Sequence, residues 1–267
     1  MAQQIADRRD IDFVLYEQLN VEQLFKSAKY RELNKKMVDM VVTEARAFGI
    51  KEVQPTLAEG DKAGVAFENG KVIVPECYRR PYQLMVENGW TSLAEDPAMG
   101  GQGLPHMVMR AAYEYFYGAN WAMVTYALEG HGTGKMIELF GTDKQKGLFL
   151  EKLYTGQWGG TMDLTEPEAG SDLASLRTRA VRDGDHYVVT GQKVWTSHAH
   201  VADVCELLVR TDPYAPKHAG LTWLIMDMGS PGVELRPLRT LTGQHEFNET
   251  YEAHKTAVKR LRELRSR

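Results

Sequence analysis

The spacing of hydrophobic residues changes at Trp158, and this change divides the chain into two parts with different secondary structure. Up to residue 157, apolar residues recur three and four positions apart, which is the spacing of helices with one buried face. Beyond Trp158, stretches rich in Val, Thr, Trp and Tyr alternate with turn residues, as in short β-strands. The sequence therefore predicts an α+β fold: an N-terminal all-helical domain, then a small antiparallel β-barrel or β-sandwich domain, then a short C-terminal helix.

The same pattern sets the predicted domain boundaries, with the helical domain at 1–157, the β-domain at 158–249 and a basic helical tail at 250–267. Helices in the first domain are predicted at Leu33–Phe48, Tyr78–Asn88, His106–Tyr117, Trp121–Glu129, Lys135–Phe140 and Asp143–Tyr154. A tight hairpin is predicted at Glu68-Asn69-Gly70-Lys71. The tail carries six basic and two acidic residues at helical spacing, which is typical of a solvated helix.

Strands of the β-domain are predicted where β-favouring residues lie between turn signals. Asp183-Gly184-Asp185 separates Arg177–Arg182 from His186–Thr190, which predicts a hairpin. Further strands are predicted at Lys193–Ser197, Val204–Arg210, Leu221–Met226 and Val233–Pro237.

Bulk composition excludes several classes of function. The formal net charge of −4 argues against nucleic acid as a partner, because neutralising phosphates needs concentrated Lys and Arg. No apolar stretch approaches the roughly 18–20 residues that span a bilayer, and the N-terminus lacks the pattern of a signal peptide. The two cysteines, Cys77 and Cys205, fit no metal or redox spacing. We therefore expect a cytoplasmic protein with no membrane span.

The sequence does not match the phosphate-loop, Rossmann or metal-ligand patterns that its residues suggest at first. Gly130-His131-Gly132-Thr133-Gly134-Lys135 resembles a phosphate loop, but Glu129 stands where the first glycine belongs and Met136 where Ser or Thr would hold magnesium. No G-x-G-x-x-G follows a strand, so a Rossmann domain is not predicted. His198 and His200 lie on one strand face with no thiol or carboxylate pattern nearby, and we predict no metal site there.

Two segments of the β-domain are candidates for ligand binding. In Leu164–Asp172, Pro167 restricts the preceding residue to extended geometry, Gly170 allows close backbone approach, and Thr165 and Ser171 supply hydroxyls. A plain strand–turn–strand is the alternative. In Lys193–Ser197, the Trp195 ring could stack on another aromatic system, or it could simply be a packed strand tryptophan.

Together, about thirty residues apart at the start of a β-domain that follows a helical domain, these segments resemble the acyl-CoA dehydrogenase family. The resemblance covers roughly residues 30–248. It rests on LTEPxAGSD at Leu164–Asp172, KVWTS at Lys193–Ser197, Phe140-Gly141-Thr142 with Lys146, Leu150, Leu153 and Gly156, and Gly101–Pro105. The stretch GWTSLAEDPAMGGQGLP is most similar to the long bacterial branch that includes methylthiopropanoyl-CoA dehydrogenases.

The resemblance implies an FAD site in the β-domain. Met162, Leu164 and Thr165 would line the pyrimidine side of the flavin. Gly170 and Ser171 would lie by the FAD diphosphate, with Ser171 also near the acyl-CoA pantetheine. Trp195 would pack against the flavin beside the hydroxyls of Thr196 and Ser197, and Ser197, where the family often has Thr, would approach N5.

The implied reaction is α,β-dehydrogenation of an acyl-CoA thioester in fatty acid metabolism, an oxidation of a CH–CH bond with the β-hydrogen passing to flavin N5. The implied partners are the acyl-CoA substrate, an electron-transfer flavoprotein and further subunits of a homo- or hetero-oligomer. In the family, a C-terminal helical domain follows and supplies the catalytic Glu. Here a basic tail follows Asn248, so we expect a truncated chain and assign no catalytic residue.

Three functions remain open at this point. The chain could be part of a flavin dehydrogenase completed by a second chain. It could be a non-catalytic fragment or module that binds acyl-CoA or a partner without turnover. It could also be a relative with the same fold and different chemistry, such as an acyl-CoA oxidase or a flavin monooxygenase.

Overall fold

The computed structural model describes the backbone of residues 5–259 and the side chains of residues 5–251. The described residues form two compact units. Unit 1 contains the chain up to Gly64, Pro75–Leu128 and Tyr154–Gly156, and unit 2 contains Val65–Val74, Glu129–Leu153 and the chain from Gln157 onward.

The α-helices within residues 5–259 are α1 (Arg8–Asp12), α2 (Lys35–Phe48), α3 (Thr56–Ala63), α4 (Arg79–Glu87), α5 (His106–Leu128), α6 (Gly130–Phe140) and α7 (Asp143–Tyr154). Short 3-10 or π-helical turns lie at Phe13–Gln18, Val21–Lys26, Gly49–Val53, Glu76–Tyr78, Trp90–Ser92, Pro97–Met99, Leu173–Ser175 and Ala199–Val201. The strands are β1 (Ala66–Glu68), β2 (Lys71–Ile73), β3 (Gly160–Asp163), β4 (Arg179–Asp183), β5 (His186–Ser197), β6 (Val204–Arg210), β7 (Leu221–Asp227), β8 (Val233–Leu238) and β9 (Phe247–Lys259).

In unit 1, helix α2 forms where the apolar spacing predicts it, but it buries a neighbouring face. Val38, Val42 and Ala45 are fully buried, whereas Met37 and Met40 are exposed. Two stripes one position apart both satisfy helical spacing in this segment, so periodicity alone cannot choose between them. The buried stripe belongs to a helix that packs against α5.

Helix α5 is interrupted at Asn120, close to the predicted break between two helices. The backbone of Asn120 is extended (φ −162°, ψ 94°) inside the helix. Its side chain is buried, accepts a hydrogen bond from the Met123 N–H and donates to the Thr56 hydroxyl at 2.9 Å. Asn120 therefore acts as an internal cap that restarts the helix.

Unit 2 is built on one curled seven-stranded sheet. Six of its strands follow the order β3-β6-β4-β5-β9-β8, and the seventh, β7, pairs with β6. Most pairs are antiparallel, as predicted, and the exceptions are β3 and β4, which both run parallel to β6. The predicted hairpin at residue 184 is β4–β5, with Asp183 paired to His186. The sheet core consists of Ala180, Val189, Cys205, Leu207, Val209 and Met226.

Gly130 and Gly160 allow close packing of the start of α6 against β3. A Cβ placed on Gly160 would lie 2.6 Å from the Thr133 hydroxyl and 3.1 Å from the Cα of Gly130. A Cβ on Gly130 would lie 3.0 Å from the Leu153 carbonyl oxygen. Only glycine allows the helix to approach the strand this closely, which gives Gly130 and Gly160 a packing role.

The predicted C-terminal helix at 250–267 is wrong for the residues that the structure describes. Strand β9 runs from Phe247 to Lys259, and its backbone pairs with β5 up to the His186–Lys259 position. The open edge of the long strand β5 supplies partners for this backbone, and pairing with a sheet overrides local helical spacing. Residues 260–267 of the predicted helix lie outside the described residues.

Candidate functional site

The loop that follows β3 is fixed to strand β5 by a buried ion pair. The Lys193 ammonium lies 2.9 Å from Glu166 Oε1 and donates a second hydrogen bond to the Leu164 carbonyl at 3.1 Å. The Lys193 side chain is 0% exposed and the Glu166 side chain 7% exposed. Because a buried charge needs a partner, Glu166 and Lys193 are placed by each other.

The Glu166 carboxylate also organises the loop downstream. It accepts hydrogen bonds from the backbone N–H of Arg177 at 2.6 Å and of Thr178 at 2.8 Å. Burial alone would raise the pKa of Glu166, but hydrogen bonds from Thr178, Arg177 and Lys193 lower it below its usual range. Glu166 and Ala169 exchange two backbone hydrogen bonds, which closes the turn. Glu166 is therefore a structural carboxylate and is ionised at neutral pH.

The turn presents its predicted ligand-binding residues to the surface of unit 2. Gly170 and Ser171 are exposed, and Leu164 and Thr165 are half-buried. A Cβ built on Gly170 would meet no atom of the protein within 4 Å, so there is open space above this backbone. The Thr165 carbonyl accepts a hydrogen bond from the Val194 N–H at 2.9 Å, which brings the two predicted ligand-binding segments together.

Trp195 occupies a backbone conformation that a bulky residue rarely adopts. Its φ is +64°, in the left-handed region, and the pairing of β5 with β9 shifts register between Lys193 and Thr196. The ring is 57% exposed and its edge contacts Phe247, with ring centroids 6.0 Å apart. The left-handed residue at a β-bulge turns the indole outward, and Met162 on β3 is also exposed, at 51%.

Two contacts hold the strand immediately after Trp195. The Thr161 hydroxyl donates to the Ser197 carbonyl at 2.7 Å, and the Asn248 side chain donates to the Thr196 carbonyl at 3.2 Å. Backbone strain of this kind persists only where the surroundings fix it, and it is concentrated at functional sites.

Thr196 lies on the opposite face from its neighbours. It is 1% exposed, and its hydroxyl donates to Asp163 on β3. The Thr250 hydroxyl lies 3.3 Å from the same Asp163 oxygen. The structure thus brings Trp195 and Ser197 to the accessible face and turns the Thr196 side chain into the sheet.

Sequence reasoning missed Asp163, a carboxyl that is 1% exposed at the centre of this site. Burial raises its pKa, while hydrogen bonds from Thr196, Cys205 and Thr250 and the charge of Lys193 act in the opposite direction. No strand was predicted at Gly160–Asp163, so no local pattern marked Asp163 as a buried residue.

A second missed feature joins helix α6 to the end of β5. Glu129, which immediately precedes α6, forms a hydrogen-bonded pair with His198 Nδ1. Burial raises the pKa of Glu129, and its bond to His198 opposes this. Burial, together with the charge of His198, lowers the pKa of His200 to about 4, so His200 is neutral at pH 7.

The described residues form neither a metal-binding cluster nor a membrane-spanning helix. No group of three or more His, Cys, Asp or Glu side chains among the described residues is arranged to hold a metal ion. None of the described helices is long and apolar enough to cross a membrane.

Comparison with known proteins matches the chain to two adjacent family models. The N-terminal domain of acyl-CoA dehydrogenase matches residues 36–157, and the middle domain of acyl-CoA dehydrogenase matches residues 161–256. The segments singled out from the sequence, Leu164–Asp172 and Lys193–Ser197, both lie within the middle-domain match.

Two curated relatives illustrate the sequence similarity. The 3-methylmercaptopropionyl-CoA dehydrogenase of Ruegeria pomeroyi is 34% identical over 213 residues, which is 78% of this chain and 36% of that protein. Acyl-CoA dehydrogenase FadE29 of Mycobacterium tuberculosis is 49% identical over 118 residues, 44% of this chain and 30% of that protein. The chain therefore spans about a third of the length of these relatives.

Solved structures show the same fold. An acyl-CoA dehydrogenase from Geobacillus kaustophilus is 28% identical with a TM-score of 0.70, over 86% of this chain and 58% of that chain. The ChsE4-ChsE5 complex from Mycobacterium tuberculosis is 30% identical with a TM-score of 0.68, over 84% of this chain and 55% of that chain.

Proposed function

Because the chain belongs to the acyl-CoA dehydrogenase family, we propose that unit 2 forms one side of an FAD site used for α,β-dehydrogenation of an acyl-CoA thioester. The observation that carries the proposal is the strained and exposed Trp195. A large ring in the left-handed region, more than half exposed, contributes little to the core. Its conformation is explained if the ring packs against another aromatic system.

The neighbouring residues fit a flavin in chemistry and exposure. Met162 offers an exposed apolar side chain, and Leu164 and Thr165 offer half-buried backbone and hydroxyl groups for the pyrimidine side. Gly170 and Ser171 border open space suited to a diphosphate, with Ser171 also available to the acyl-CoA pantetheine.

Next to Trp195, one residue would contact the flavin through its side chain and another through its backbone. Ser197 is half-buried, and its hydroxyl is assigned to N5. Thr196 is assigned through its backbone, because its hydroxyl is bound to Asp163. When bound, FAD would accept the β-hydrogen of the acyl chain as hydride.

The proton-removing base is not assigned to this chain. The buried carboxylates Glu166 and Asp163 are bound to other residues of unit 2: Glu166 to Lys193, and Asp163 to Thr196 and Thr250. A second candidate function follows, in which this chain binds FAD and acyl-CoA only together with a second chain. Its support is the similarity to the ChsE4-ChsE5 complex, which has two named components.

We also propose the partners that the family resemblance implies. These are an acyl-CoA substrate, an electron-transfer flavoprotein as electron acceptor, and further subunits in a homo- or hetero-oligomer. Reoxidation by electron-transfer flavoprotein without oxygen uptake would support a dehydrogenase. Oxygen consumption during turnover would instead support an oxidase or monooxygenase.

The direct test is the visible spectrum of the purified chain titrated with FAD, alone and after co-expression with a candidate second chain. Saturable binding at one flavin per chain, with a perturbed flavin spectrum, is expected in at least one arm. Ser171→Ala should weaken binding, and Ser230→Ala, at a half-buried serine on the turn before β8, serves as the control. A colourless protein in both arms, with no response to a panel of acyl-CoA thioesters, contradicts the proposal.

A further inference from the structure

The end of strand β5 has two left-handed residues, and only one of them is at the bulge. Trp195 has φ +64°, and His198, three residues later, has φ +49° and ψ 22°. Neither is glycine, and a left-handed backbone is unfavourable for any residue with a Cβ. Thr196 and Ser197 thus lie between two strained positions, and something must hold His198 as well as Trp195.

His198 is held by both its backbone and its ring. Its N–H donates to the Glu246 carbonyl at 2.9 Å. Its ring pairs with the Glu129 carboxylate, with the His198 side chain 12% exposed and that of Glu129 25% exposed. Because both side chains are partly buried, solvent screens this contact less than a surface contact, and removing either partner leaves the other poorly solvated.

Glu129 is in turn placed by the close packing of α6 on β3. It immediately precedes Gly130, whose Cα lies 3.1 Å from the position of a Cβ on Gly160 at the start of β3. Strand β3 reaches back to β5 through the Thr161 hydroxyl, which donates to the Ser197 carbonyl. The end of β5 therefore contacts β3, β3 packs against α6, and the Glu129–His198 pair connects the start of α6 to the end of β5.

We propose that the hydrogen-bonded pair Glu129–His198 positions Trp195–Ser197, holding the end of β5 in the conformation that presents the Trp195 ring outward. Neither residue is assigned contact with flavin or substrate, so both are positioning residues. The proposed flavin site gives the inference its functional meaning. The measurement below needs no flavin, so failure of one does not imply failure of the other.

Other titratable groups lie next to the pair. His200 follows on the turn after β5, and its ring edge packs against His198 with centroids 6.2 Å apart. The Asn248 side chain lies 3.2 Å from His200 Nδ1, an arrangement in which a neutral His200 accepts the bond. Glu246 precedes β9, and His131 lies at the start of α6. Of these, Glu129 is the carboxylate bonded to His198, so its protonation is expected to release the pair as pH falls.

The test is fluorine NMR of the full chain labelled with 5-fluorotryptophan. The chain has five tryptophans, and the resonance missing in Trp195→Phe identifies Trp195. In Glu129→Gln, Glu129→Ala and His198→Asn at pH 7.5, this resonance should shift or broaden by more than its linewidth while the other four stay unchanged. Asparagine tolerates the left-handed region, so His198→Asn removes the imidazole contact with Glu129 without adding backbone strain.

Two further measurements separate positioning from general damage. Glu138→Gln, which breaks an exposed pair with Lys135 on the same helix, should leave the Trp195 resonance in place. In the wild-type chain, the Trp195 resonance should move on acidification in a step that Glu129→Gln abolishes. The inference is overturned if the Trp195 resonance of the folded variants coincides with that of the wild type. It is also overturned if the wild-type resonance stays fixed until the other four tryptophans move.

Discussion

The Lys193 ammonium lies 2.9 Å from Glu166 Oε1, and both side chains are buried. The pair connects the turn after β3 to strand β5, so it joins the two segments that carry the proposed flavin contacts. Removing one partner of a buried pair leaves an uncompensated charge, which costs about 3 to 5 kcal/mol. Glu166→Gln is therefore expected to lower the free energy of unfolding by about that amount, as measured by urea denaturation.

The double variant Lys193→Met/Glu166→Gln checks the origin of this loss. With both charges gone, a large part of the stability should return. The control is Lys217→Met, whose partner is Asp172 in a pair with side chains 48% and 61% exposed, and it should cost at most about 1 kcal/mol. A double variant no more stable than Glu166→Gln would show that shape, and not charge, determines the loss.

Asp163→Asn is expected to gain stability over the wild type as pH rises. Burial raises the pKa of Asp163, so the folded state holds the proton to a higher pH than the unfolded chain does. The carboxyl's contribution to stability is thus fully present below the ordinary aspartate pKa of about 3.9 and is lost as pH rises through the raised value. Asparagine does not ionise, so its advantage in urea denaturation should be larger at pH 8 than at pH 4.5.

Asp172 provides a control of opposite sign. Hydrogen bonds from Lys217 and Ser175 lower the pKa of Asp172, so its contribution to stability is lost as pH falls. The disadvantage of Asp172→Asn should therefore be larger at pH 8 than at low pH. The same pH trend in both variants would contradict the burial argument for Asp163.

Trp195→Asn is expected to separate stability from flavin binding. Asparagine tolerates the left-handed region, so the substitution relieves about 1 kcal/mol of backbone strain and removes a ring that is already 57% exposed. The free energy of unfolding should stay level or rise, while FAD affinity falls at least tenfold. Trp195→Phe keeps both the strain and an aromatic face, and should lose less affinity. A destabilised Trp195→Asn variant would mean that the ring serves packing.

Two glycine-to-alanine substitutions should have opposite effects on stability. In α7, a Cβ on Gly147 would meet nothing within 4 Å, so Gly147→Ala should stabilise by about 0.5 to 1 kcal/mol through helix propensity. A Cβ on Gly101 would lie 2.0 Å from the Glu95 carbonyl oxygen, which cannot move cheaply, so Gly101→Ala should cost at least about 1 kcal/mol. Thermal unfolding of the two variants measures both, and equal effects would contradict the packing argument.

Strands β4 to β8 of unit 2 were predictable because their turns carry strong local signals, whereas β3 was not predicted. Val204–Arg210 is a strand at the predicted bounds, and the turn residues at 184 and 185 place the β4–β5 hairpin correctly. The C-terminal segment was predicted wrongly, because the spacing of its own residues is typical of a helix and carries no information about a distant pairing partner. Its strand conformation comes from pairing with β5, which lies more than fifty residues earlier.

The candidate site shows the same division between local and long-range information. The motif residues Thr165, Trp195 and Ser197 were found from sequence, and the structure brings their segments together through the Val194–Thr165 hydrogen bond. Asp163 and Glu129 were missed, since their partners lie 33 and 69 residues away and no local pattern announces them. Whether the motif residues bind FAD remains a prediction.

The small hairpin β1–β2 is synthesised long before the C-terminal residues that it contacts. Val65 accepts a hydrogen bond from the His245 N–H, and Phe67 packs against the His245 ring with centroids 6.1 Å apart. The hairpin therefore emerges from the ribosome roughly ten to forty seconds before the residues it contacts, at 5 to 20 residues per second. Nascent chains shorter than about 245 residues hold this hairpin without its partner, and exposed strands of that kind are sites where chaperones bind or copies of the chain associate.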